Sequence, residues 1–319
     1  MVDELQDAYE VVVVGGGAAG LNGALMLGRS RRSVLVLDAG QPRNAPADAV
    51  HGLFAREGTP PAELLARGRE EVRMYGGHVV EAEVVDAEKV DDGFVVRLAD
   101  GRTVHGQRLL VTSGLVDVLP DVPGLAQRWG RDLIHCPYCH GYENRDRAIG
   151  VLAVSPMSVH QALLLRQLSD DVTVLANGVD LPAEALEQLA ARGIPVVEGE
   201  VAEVVVQDDA VTGVRLADGT VVAREVLATG SRAVARAGFL TSLGLSTVEH
   251  PSGMGVHLPV DAFGKTEVPG VWAAGNVADI AAQVGSSAAA GAWAGAQINA
   301  DLVMAETTAA VEARRVAAV

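Results

Sequence analysis

Apolar residues near the start of the chain come in short unbroken runs rather than in alternation with polar residues. Residues 11–14 (VVVV) are β-branched, residues 33–37 (SVLVL) form a second run, and residues 21–27 between them are rich in Ala, Leu and Met. Unbroken β-branched runs indicate strands that are buried on both faces, whereas Ala, Leu and Met favour helix. The pattern therefore predicts a strand, a helix and a second buried strand.

Glycines fill the turn between the first strand and the helix, at Gly15, Gly17 and Gly20. In G-x-G-x-x-G, the first glycine allows the tight turn, the second lets the backbone approach a pyrophosphate, and the third lets helix and strand pack closely. Asp38 closes the second strand at close to the spacing of about 20 residues expected for a ribose-binding acid. In this context the motif predicts a dinucleotide site rather than a turn without a ligand, but does not distinguish FAD from NAD.

Two later stretches extend this pattern. Residues 108–114 (RLLVTSG) predict a buried strand closed by small residues, and residues 268–279 (VPGVWAAGNVAD) predict another that precedes a small-residue helix at 285–302. The order GxGxxG, VTxG, CxxC and AAGN resembles the low-molecular-weight thioredoxin reductase family of flavoproteins over nearly the whole chain. The glycine motif alone is weak evidence, and the four motifs in this order are strong evidence.

This resemblance implies an α/β fold of two Rossmann-like, three-layer dinucleotide-binding domains, the second inserted into the first. The FAD-binding domain is expected at residues 1–117 and 248–319. A smaller domain, with CxxC and a degenerate pyridine-nucleotide fold, is expected at residues 118–247. The resemblance also implies a homodimer.

The resemblance further implies which residues contact FAD. The pyrophosphate is expected at the glycine loop, the adenosine ribose at Asp38, and the flavin near the start of the last helix. Asn276 stands where many relatives have Asp, and His51 is either a neighbour of the isoalloxazine or a surface loop histidine. The full set comprises Gly15, Gly17, Ala18, Ala19, Gly20, Asp38, Ala39, Arg43, Asn44, His51, Val84, Thr112, Gly114, Gly275, Asn276, Gln283 and Val284.

The second nucleotide turn lacks its glycines. A strand, a helix and a strand are predicted at residues 149–154, 159–168 and 172–175, but Ala153, Ser155 and Ser158 replace glycine and Pro156 lies inside the turn. Their Cβ atoms crowd the path of a pyrophosphate, and proline removes an N–H donor. Residues 176–178 (ANG) offer no arginine for a 2′-phosphate. These departures argue against NADPH binding in the usual mode.

Residues 135–140 (HCPYCH) contain Cys136 and Cys139, the only cysteines of the sequence. A c-type haem would need export, for which no signal is present, and zinc would need about four ligands without a second Cys pair to supply them. A purely structural disulfide across two residues gains little loop entropy. A redox dithiol is therefore favoured, with no metal site. The resemblance places Cys139 against the flavin and Cys136 towards the substrate. His140 stands where thioredoxin reductases have an acid, and it is either the general base or a residue at a helix start without a role in proton transfer. His135 is then a neighbour and Tyr138 shapes the entrance.

The composition of the chain limits the classes of partner that it is expected to bind. The chain has 319 residues, a hydrophobic content of 49% and a net charge of −16, which argues against nucleic acid and anionic lipid. Residues 11–28 carry no charge, but acidic residues precede them where a signal peptide or membrane anchor would carry basic ones. The cytoplasm is the expected compartment, and there paired cysteines are usually redox or metal groups.

The glycine-poor turn and the CPYCHGYE stretch resemble the dithiol oxidases that form the disulfides of gliotoxin and holomycin. We therefore predict an FAD-dependent dithiol oxidase that closes a small-molecule dithiol, or less readily a protein dithiol, into a disulfide and passes the electrons to O2, giving H2O2. One alternative is a thioredoxin reductase-like enzyme using NADPH or another donor such as ferredoxin. Another is a flavin redox sensor with little turnover.

Overall fold

The computed structural model describes residue 3 and residues 5–318. The chain divides into two compact units. The first unit comprises Met1–Ala45, Pro61–Val116 and Ala233–Val319, and the second comprises Pro46–Pro60 and Asp117–Arg232. No helix among the described residues is long and apolar enough to cross a membrane.

A seven-stranded sheet forms the centre of the first unit, with two helices (α1 and α2) between its early strands and a long helix (α6) after its last. The sheet has the order β3-β2-β1-β6-β5-β4, with β19 paired to β6. Its elements are β1 (Ala8–Val14), α1 (Ala18–Arg29), β2 (Val34–Asp38), α2 (Pro61–Met74), β3 (His78–Glu81), β4 (Val84–Val90), β5 (Gly93–Leu98), β6 (Thr103–Val111), β19 (Val271–Ala273) and α6 (Val284–Ala317).

The central position of β1 in the sheet explains why its run of apolar residues is unbroken. It pairs in parallel with β2 on one side and with β6 on the other. Val11 and Val13 face one hydrophobic cluster of the unit, whereas Val12 and Val14 face the other. Both faces of the strand are therefore buried, as the sequence predicts, and the glycine loop follows at its carboxyl end.

A smaller sheet completes the first unit, in the order β17-β18-β16-β7. Its strands are β7 (Leu115–Val118), β16 (Arg232–Ala235), β17 (Val248–Glu249) and β18 (Gly255–His257). Because β16 pairs in parallel with β18, and Leu240 and Leu245 pack into a core cluster of this unit, the chain re-enters the unit near residue 233 rather than at 248. The predicted boundary at 248 therefore differs from the structure, as does the assignment of residues 46–60 to the first unit.

The second unit contains a five-stranded parallel sheet, ordered β11-β10-β9-β15-β8, and a three-stranded antiparallel sheet, ordered β12-β13-β14. Its elements are β8 (Leu133–Ile134), α3 (Pro137–His140), β9 (Ile149–Leu152), α4 (Ser158–Leu165), β10 (Val172–Leu175), α5 (Ala183–Ala191), β11 (Val196–Val197), β12 (Val201–Gln207), β13 (Ala210–Leu216), β14 (Val221–Ala223) and β15 (Val226–Thr229). The predicted α/β fold with two dinucleotide-binding units is confirmed.

Candidate active site

The glycine loop of the first unit keeps one position open. A Cβ atom on Gly15 would collide with the carbonyl group of Thr112, and one on Gly20 would collide with the carbonyl oxygen of Gly15. A Cβ atom on Gly17, which precedes α1, would meet nothing within 4 Å. Gly15 and Gly20 are thus required by packing, while the backbone at Gly17 is accessible beside the free N–H groups of a helix start. This cradle fits a pyrophosphate.

Asp38 lies against the glycine loop at the end of β2. A Cβ atom on Gly16 would lie 2.5 Å from its Oδ2 atom. The Gly40 N–H donates to its Oδ1 atom at 3.1 Å, and the guanidinium of Arg69 on α2 donates to Oδ2 at 2.8 Å. The carboxylate is therefore fixed beside the cradle, as a ribose-binding acid must be. Arg69 carries no signal in the sequence, because no local pattern places α2 beside this acid.

Thr112 and Gly114 follow β6 on the same edge of the sheet. The Thr112 hydroxyl lies 2.8 Å from the carbonyl oxygen of Gly15 and 3.0 Å from that of Val14, so it can donate to either and ties β6 to the loop. Gly114 adopts a left-handed conformation with φ of 72°, which glycine accepts without strain. The other predicted contacts in this unit are Ala18, the first residue of α1, the exposed Ala39, the partly buried Asn44, and Val84 at the start of β4.

Asn276 organises the turn that precedes α6. Its Nδ2 atom donates to the carbonyl oxygen of Ala282 at 2.8 Å, and the Arg43 guanidinium reaches its Oδ1 atom at 3.5 Å. The side chain therefore holds the turn in shape, which an aspartate could not do through an N–H donor. Gln283 precedes the helix and Val284 is its first residue. The turn ends at the residues predicted to approach the flavin.

Small residues let α1 and α6 pack backbone against backbone. A Cβ atom on Gly291 would collide with the carbonyl oxygen of Ala19, and one on Gly295 would lie 2.7 Å from that of Gly23. Gly275, with φ of 75°, also packs against Ala19, since its Cβ position lies 2.9 Å from the Ala19 methyl. The predicted residues at the start of α1 and near the end of the chain are thereby brought together.

Cys136 and Cys139 form a disulfide at a single helical turn of the second unit. Their Cα atoms are 5.2 Å apart, and both residues are partly buried. The N–H groups of Cys139 and His140 donate to the carbonyl oxygen of Cys136, at 3.1 and 3.2 Å, which closes the turn. No group of three or more His, Cys, Asp or Glu side chains within the described residues could hold a metal ion. The arrangement supports thiol–disulfide exchange.

His140 is partly buried next to this pair. Its Nε2 atom is inaccessible to solvent and has no hydrogen-bond partner among the described residues. Burial lowers the pKa of the imidazole, and the nearby Glu143 carboxylate opposes this effect. Asn144 fixes the backbone, because its Nδ2 atom donates to the His140 carbonyl oxygen at 2.8 Å. A neutral imidazole with an unused nitrogen can act as a base.

His51 lies in the second unit, on the Pro46–Pro60 segment. Its Nδ1 atom is 2.6 Å from Oε1 of Glu57, and its Nε2 atom is 3.5 Å from Oε1 of Glu143. Glu57 also accepts the Gly52 N–H at 2.8 Å, and the hydrogen bond from His51 followed by that from Gly52 lowers the pKa of its carboxyl. Neither glutamate is among the predicted site residues. Glu143 stands within the CPYCHGYE stretch, but nothing in the sequence marks Glu57.

In the second nucleotide turn, side chains of the turn itself accept hydrogen bonds from its backbone N–H groups. The Val154 N–H donates to the hydroxyl of the buried Ser158 at 3.1 Å. The Met157 N–H donates to the hydroxyl of the partly buried Ser155 at 3.3 Å. Pro156 between them has no N–H group. Side chains thus occupy donors that a phosphate would need at the start of α4.

The fold, the disulfide and the glycine loop define a class of protein. A family model described as pyridine nucleotide-disulphide oxidoreductase matches residues 9–300, and the chain belongs to this family. It is a thiol–disulfide oxidoreductase of the thioredoxin reductase-like type, as predicted, and members of the family typically bind FAD.

Similar proteins cover most of the chain. It is 34% identical over 310 residues to "thioredoxin reductase tcpT" of Claviceps purpurea (strain 20.1), which covers 92% of this chain and 95% of that protein. It is 31% identical to "thioredoxin reductase sirT" of Leptosphaeria maculans, over 91% of this chain and 93% of that one. The crystal structure of HlmI superposes with a TM-score of 0.92 at 44% identity and covers 100% of both chains.

Proposed function

We propose that this protein is an FAD-dependent dithiol oxidase, which converts a small-molecule dithiol into a disulfide and delivers the electrons to O2. The observation that carries the proposal is the hydrogen bond from the Val154 N–H to Ser158, because it closes the turn that would receive NADPH. A redox disulfide that receives no electrons from a nicotinamide can take them from a substrate dithiol. The cytoplasm and a homodimer belong to the same proposal.

The first unit would hold the cofactor. The pyrophosphate would bind at the cradle around Gly17, the adenosine ribose at Asp38, and the remainder along Thr112, Gly114 and the turn at Asn276. FAD, when bound, supplies a two-electron acceptor that O2 reoxidises with release of H2O2.

The second unit would carry out the exchange. His140 takes a proton from the first substrate thiol, and the thiolate attacks Sγ of Cys136. The Cys136–Cys139 bond breaks, Cys139 leaves as a thiolate, and a mixed disulfide remains on Cys136. The second substrate thiol, once deprotonated, attacks the substrate sulfur of this mixed disulfide and releases the cyclic product. The two electrons then reside on the enzyme dithiol.

The surroundings of the disulfide favour a small organic substrate. Tyr138 lies between the two cysteines in sequence and is 70% exposed, and Tyr142 follows at 62% exposed. Exposed aromatic rings offer flat apolar contacts to a small molecule at low entropic cost.

Anaerobic spectroscopy tests the function. Dithiothreitol should bleach the flavin of the purified protein, and air should restore the colour with release of H2O2. NADPH at the same concentration should leave the spectrum unchanged. Rapid bleaching by NADPH would instead support a reductase, as the names of the fungal relatives suggest. A colourless protein that does not take up FAD would rule out both functions.

A further inference from the structure

Helix α4, which follows the second nucleotide turn, also contacts the chain beside the disulfide. We propose that Gln161 on this helix is a positioning residue, which holds the chain that enters Cys136 in the geometry of the disulfide-bonded form. It thereby shifts the equilibrium between disulfide and dithiol towards the disulfide. The inference rests on the proposed function, in which this disulfide exchanges with substrate thiols. It gives α4 a role in thiol chemistry in place of nucleotide binding.

The side-chain amide of Gln161 donates to the backbone next to Cys136. Its Nε2 atom lies 2.6 Å from the carbonyl oxygen of His135 and 3.5 Å from that of Thr229. A reversed amide would place Oε1 against these two carbonyl oxygens, so the hydrogen bonds determine which atom of the amide faces them. His135 immediately precedes Cys136. The hydrogen bond therefore fixes the residue through which the chain enters the disulfide turn at residues 136–140.

The acceptors of this amide lie at the carboxyl ends of neighbouring strands. His135 follows β8 and Thr229 ends β15, and these two strands pair in parallel. The Nδ1 atom of His135 lies 3.2 Å from the carbonyl oxygen of Thr229. The Thr229 hydroxyl donates at 3.1 Å to the carbonyl oxygen of Leu152, the last residue of β9. Parallel sheets of this type bind ligands at their carboxyl edge, and here side chains of the protein itself use that edge to anchor the chain that enters Cys136.

The chain that leaves the disulfide turn packs against the same segment. A Cβ atom on Gly141, directly after His140, would lie 2.4 Å from the Cδ1 atom of Leu168, just beyond α4. Gln161 and Leu168 thus contact the chain at the beginning and at the end of the turn. The turn is held at both ends, while the Tyr138 side chain at its centre is 70% exposed.

The oxygen atom of the Gln161 amide makes no such contact. It is inaccessible to solvent and has no hydrogen-bond partner among the described residues. A buried acceptor without a partner costs free energy. Gln161 thus supplies a donor to one carbonyl oxygen and leaves its own oxygen without one, so that its net contribution to the stability of the fold is small. The placement of the donor, at the residue before a redox cysteine, is better explained by a role in the thiol chemistry.

Closure of the disulfide depends on the geometry of this turn. A disulfide requires Cα atoms about 4.4–6.8 Å apart, and those of Cys136 and Cys139 are 5.2 Å apart. Reduction removes the bond between the sulfurs, and the turn can then relax unless other contacts hold it. A contact that fixes the chain before Cys136 lowers the entropy that is lost when the two sulfurs bond again. Loss of the Gln161 contact should therefore favour the dithiol.

The test measures this equilibrium in the intact flavoprotein. Without oxygen, at neutral pH, one reduced dithiothreitol gives two electrons and two protons to the Cys136–Cys139 disulfide and becomes its cyclic disulfide. Mixtures of reduced and oxidised dithiothreitol set the ratio, and acid quenching, alkylation and mass spectrometry count the enzyme dithiol. For Gln161→Leu we expect the equilibrium constant for reduction to rise about 3–10-fold, as the loss of one hydrogen bond implies.

Two further variants separate the hydrogen bond from packing. Gln161→Glu keeps the shape of the side chain but directs a carboxylate oxygen at the carbonyl oxygen of His135, so it should shift the equilibrium in the same direction by at least as much. Gln167→Leu makes the same substitution at an exposed glutamine of the same unit and is the matched control, which should behave as the unmodified protein. Urea unfolding of each variant measures stability separately.

Several outcomes would overturn the inference. An unchanged equilibrium constant in Gln161→Leu, even with a loss of stability in urea, would show a structural role only. A shift in Gln161→Leu without one in Gln161→Glu would assign the effect to packing, and an equal shift in Gln167→Leu would remove its specificity. If excess dithiothreitol fails to reduce the disulfide of the unmodified protein, the proposed function falls together with the inference. Normal reduction of the unmodified protein with an equal constant in Gln161→Leu removes the inference alone.

Discussion

The guanidinium of Arg69 donates to the carboxylate of Asp38 at 2.8 Å, and so places a positive charge beside the acid that terminates β2. The Asp38 side chain is only 15% exposed. A ligand that covers this carboxylate would remove it further from water. The free-energy cost of this desolvation is smaller for a carboxylate that is paired with a cation than for an isolated one. Arg69 would thus prepare Asp38 for the ribose that we propose it binds.

Removal of Arg69 should weaken cofactor binding. For Arg69→Ala we expect the dissociation constant for FAD to rise about 10-fold or more, because the acid would be buried without its partner. Equilibrium dialysis against FAD measures the change. Arg67→Ala is the control, since Arg67 lies on the same helix in an exposed pair with Glu63. Equal affinities in the two variants would show that the Arg69–Asp38 pair does not serve the cofactor.

The two cysteines should fail in different ways. Cys139→Ser should trap a mixed disulfide between substrate and Cys136, because no internal thiol can resolve it. Cys136→Ser should trap none. Intact-mass spectrometry after exposure to an oxidised small thiol distinguishes the variants, and flavin bleaching by dithiol should be lost in both. A stable adduct on Cys139 in the Cys136→Ser variant, with none in the other, would reverse the assigned roles.

His140 determines the expected pH dependence. Burial lowers its pKa below the usual value of about 6.5, so the neutral base persists below that pH. The rate of disulfide reduction should therefore hold at its plateau as pH falls to about 6.5, and decline only below this value. His140→Asn should lose about 100-fold in rate near neutral pH together with this inflection. An inflection that survives in His140→Asn would belong to another group.

Folding stability should follow the same titration. The unfolded chain binds a proton at His140 more readily than the folded chain does, so stability is fully present above about pH 6.5 and decreases as pH falls towards the folded-state pKa. Urea unfolding of the unmodified protein and of His140→Asn at several pH values gives the difference. An identical pH dependence in both proteins would contradict it.

Contact between α1 and α6 should tolerate no side chain at Gly291. The Cβ of Gly291→Val would collide with the carbonyl oxygen of Ala19, and we expect unfolding to become easier by about 1–3 kcal/mol, with weaker FAD retention. Gly285→Ala places a methyl group on an exposed position of the same helix and should be neutral or slightly stabilising. Denaturant midpoints of both variants measure the effect. A loss of similar size in Gly285→Ala would show that the contact between Gly291 and Ala19 does not account for the effect.

Local chemistry explains which parts of the fold were predictable. The run at residues 11–14 and the glycine loop each carry their own signal, since burial on both faces and a tight turn impose residue types directly. The boundary near residue 233 carries no such signal. The strands β16, β17 and β18 are two to four residues long, which is too short for a periodic pattern.

The residues of the candidate site also separate into those that a local sequence pattern indicates and those that it does not. Cys136, Cys139 and His140 lie at one helical turn because they are adjacent in sequence. Arg69 reaches Asp38 only through tertiary packing, and Glu57 reaches His51 through an irregular loop. In a sequence, an arginine or glutamate of this kind looks like any other surface charge. His51 was visible as a candidate, but its place in the second unit depends on a loop that leaves and re-enters the first unit.

The close approach of Ala19 to Gly291 has a consequence for synthesis. Most of the second unit is continuous and can fold while the nascent chain is still attached to the ribosome, because domains generally fold as units. Helix α6 follows the second unit in the chain, so the cradle for the dinucleotide lacks this helix until that unit has been translated. Flavin loading is therefore expected to follow synthesis of α6, and a chain cut before this helix would carry the cysteine pair of the second unit without a complete dinucleotide cradle.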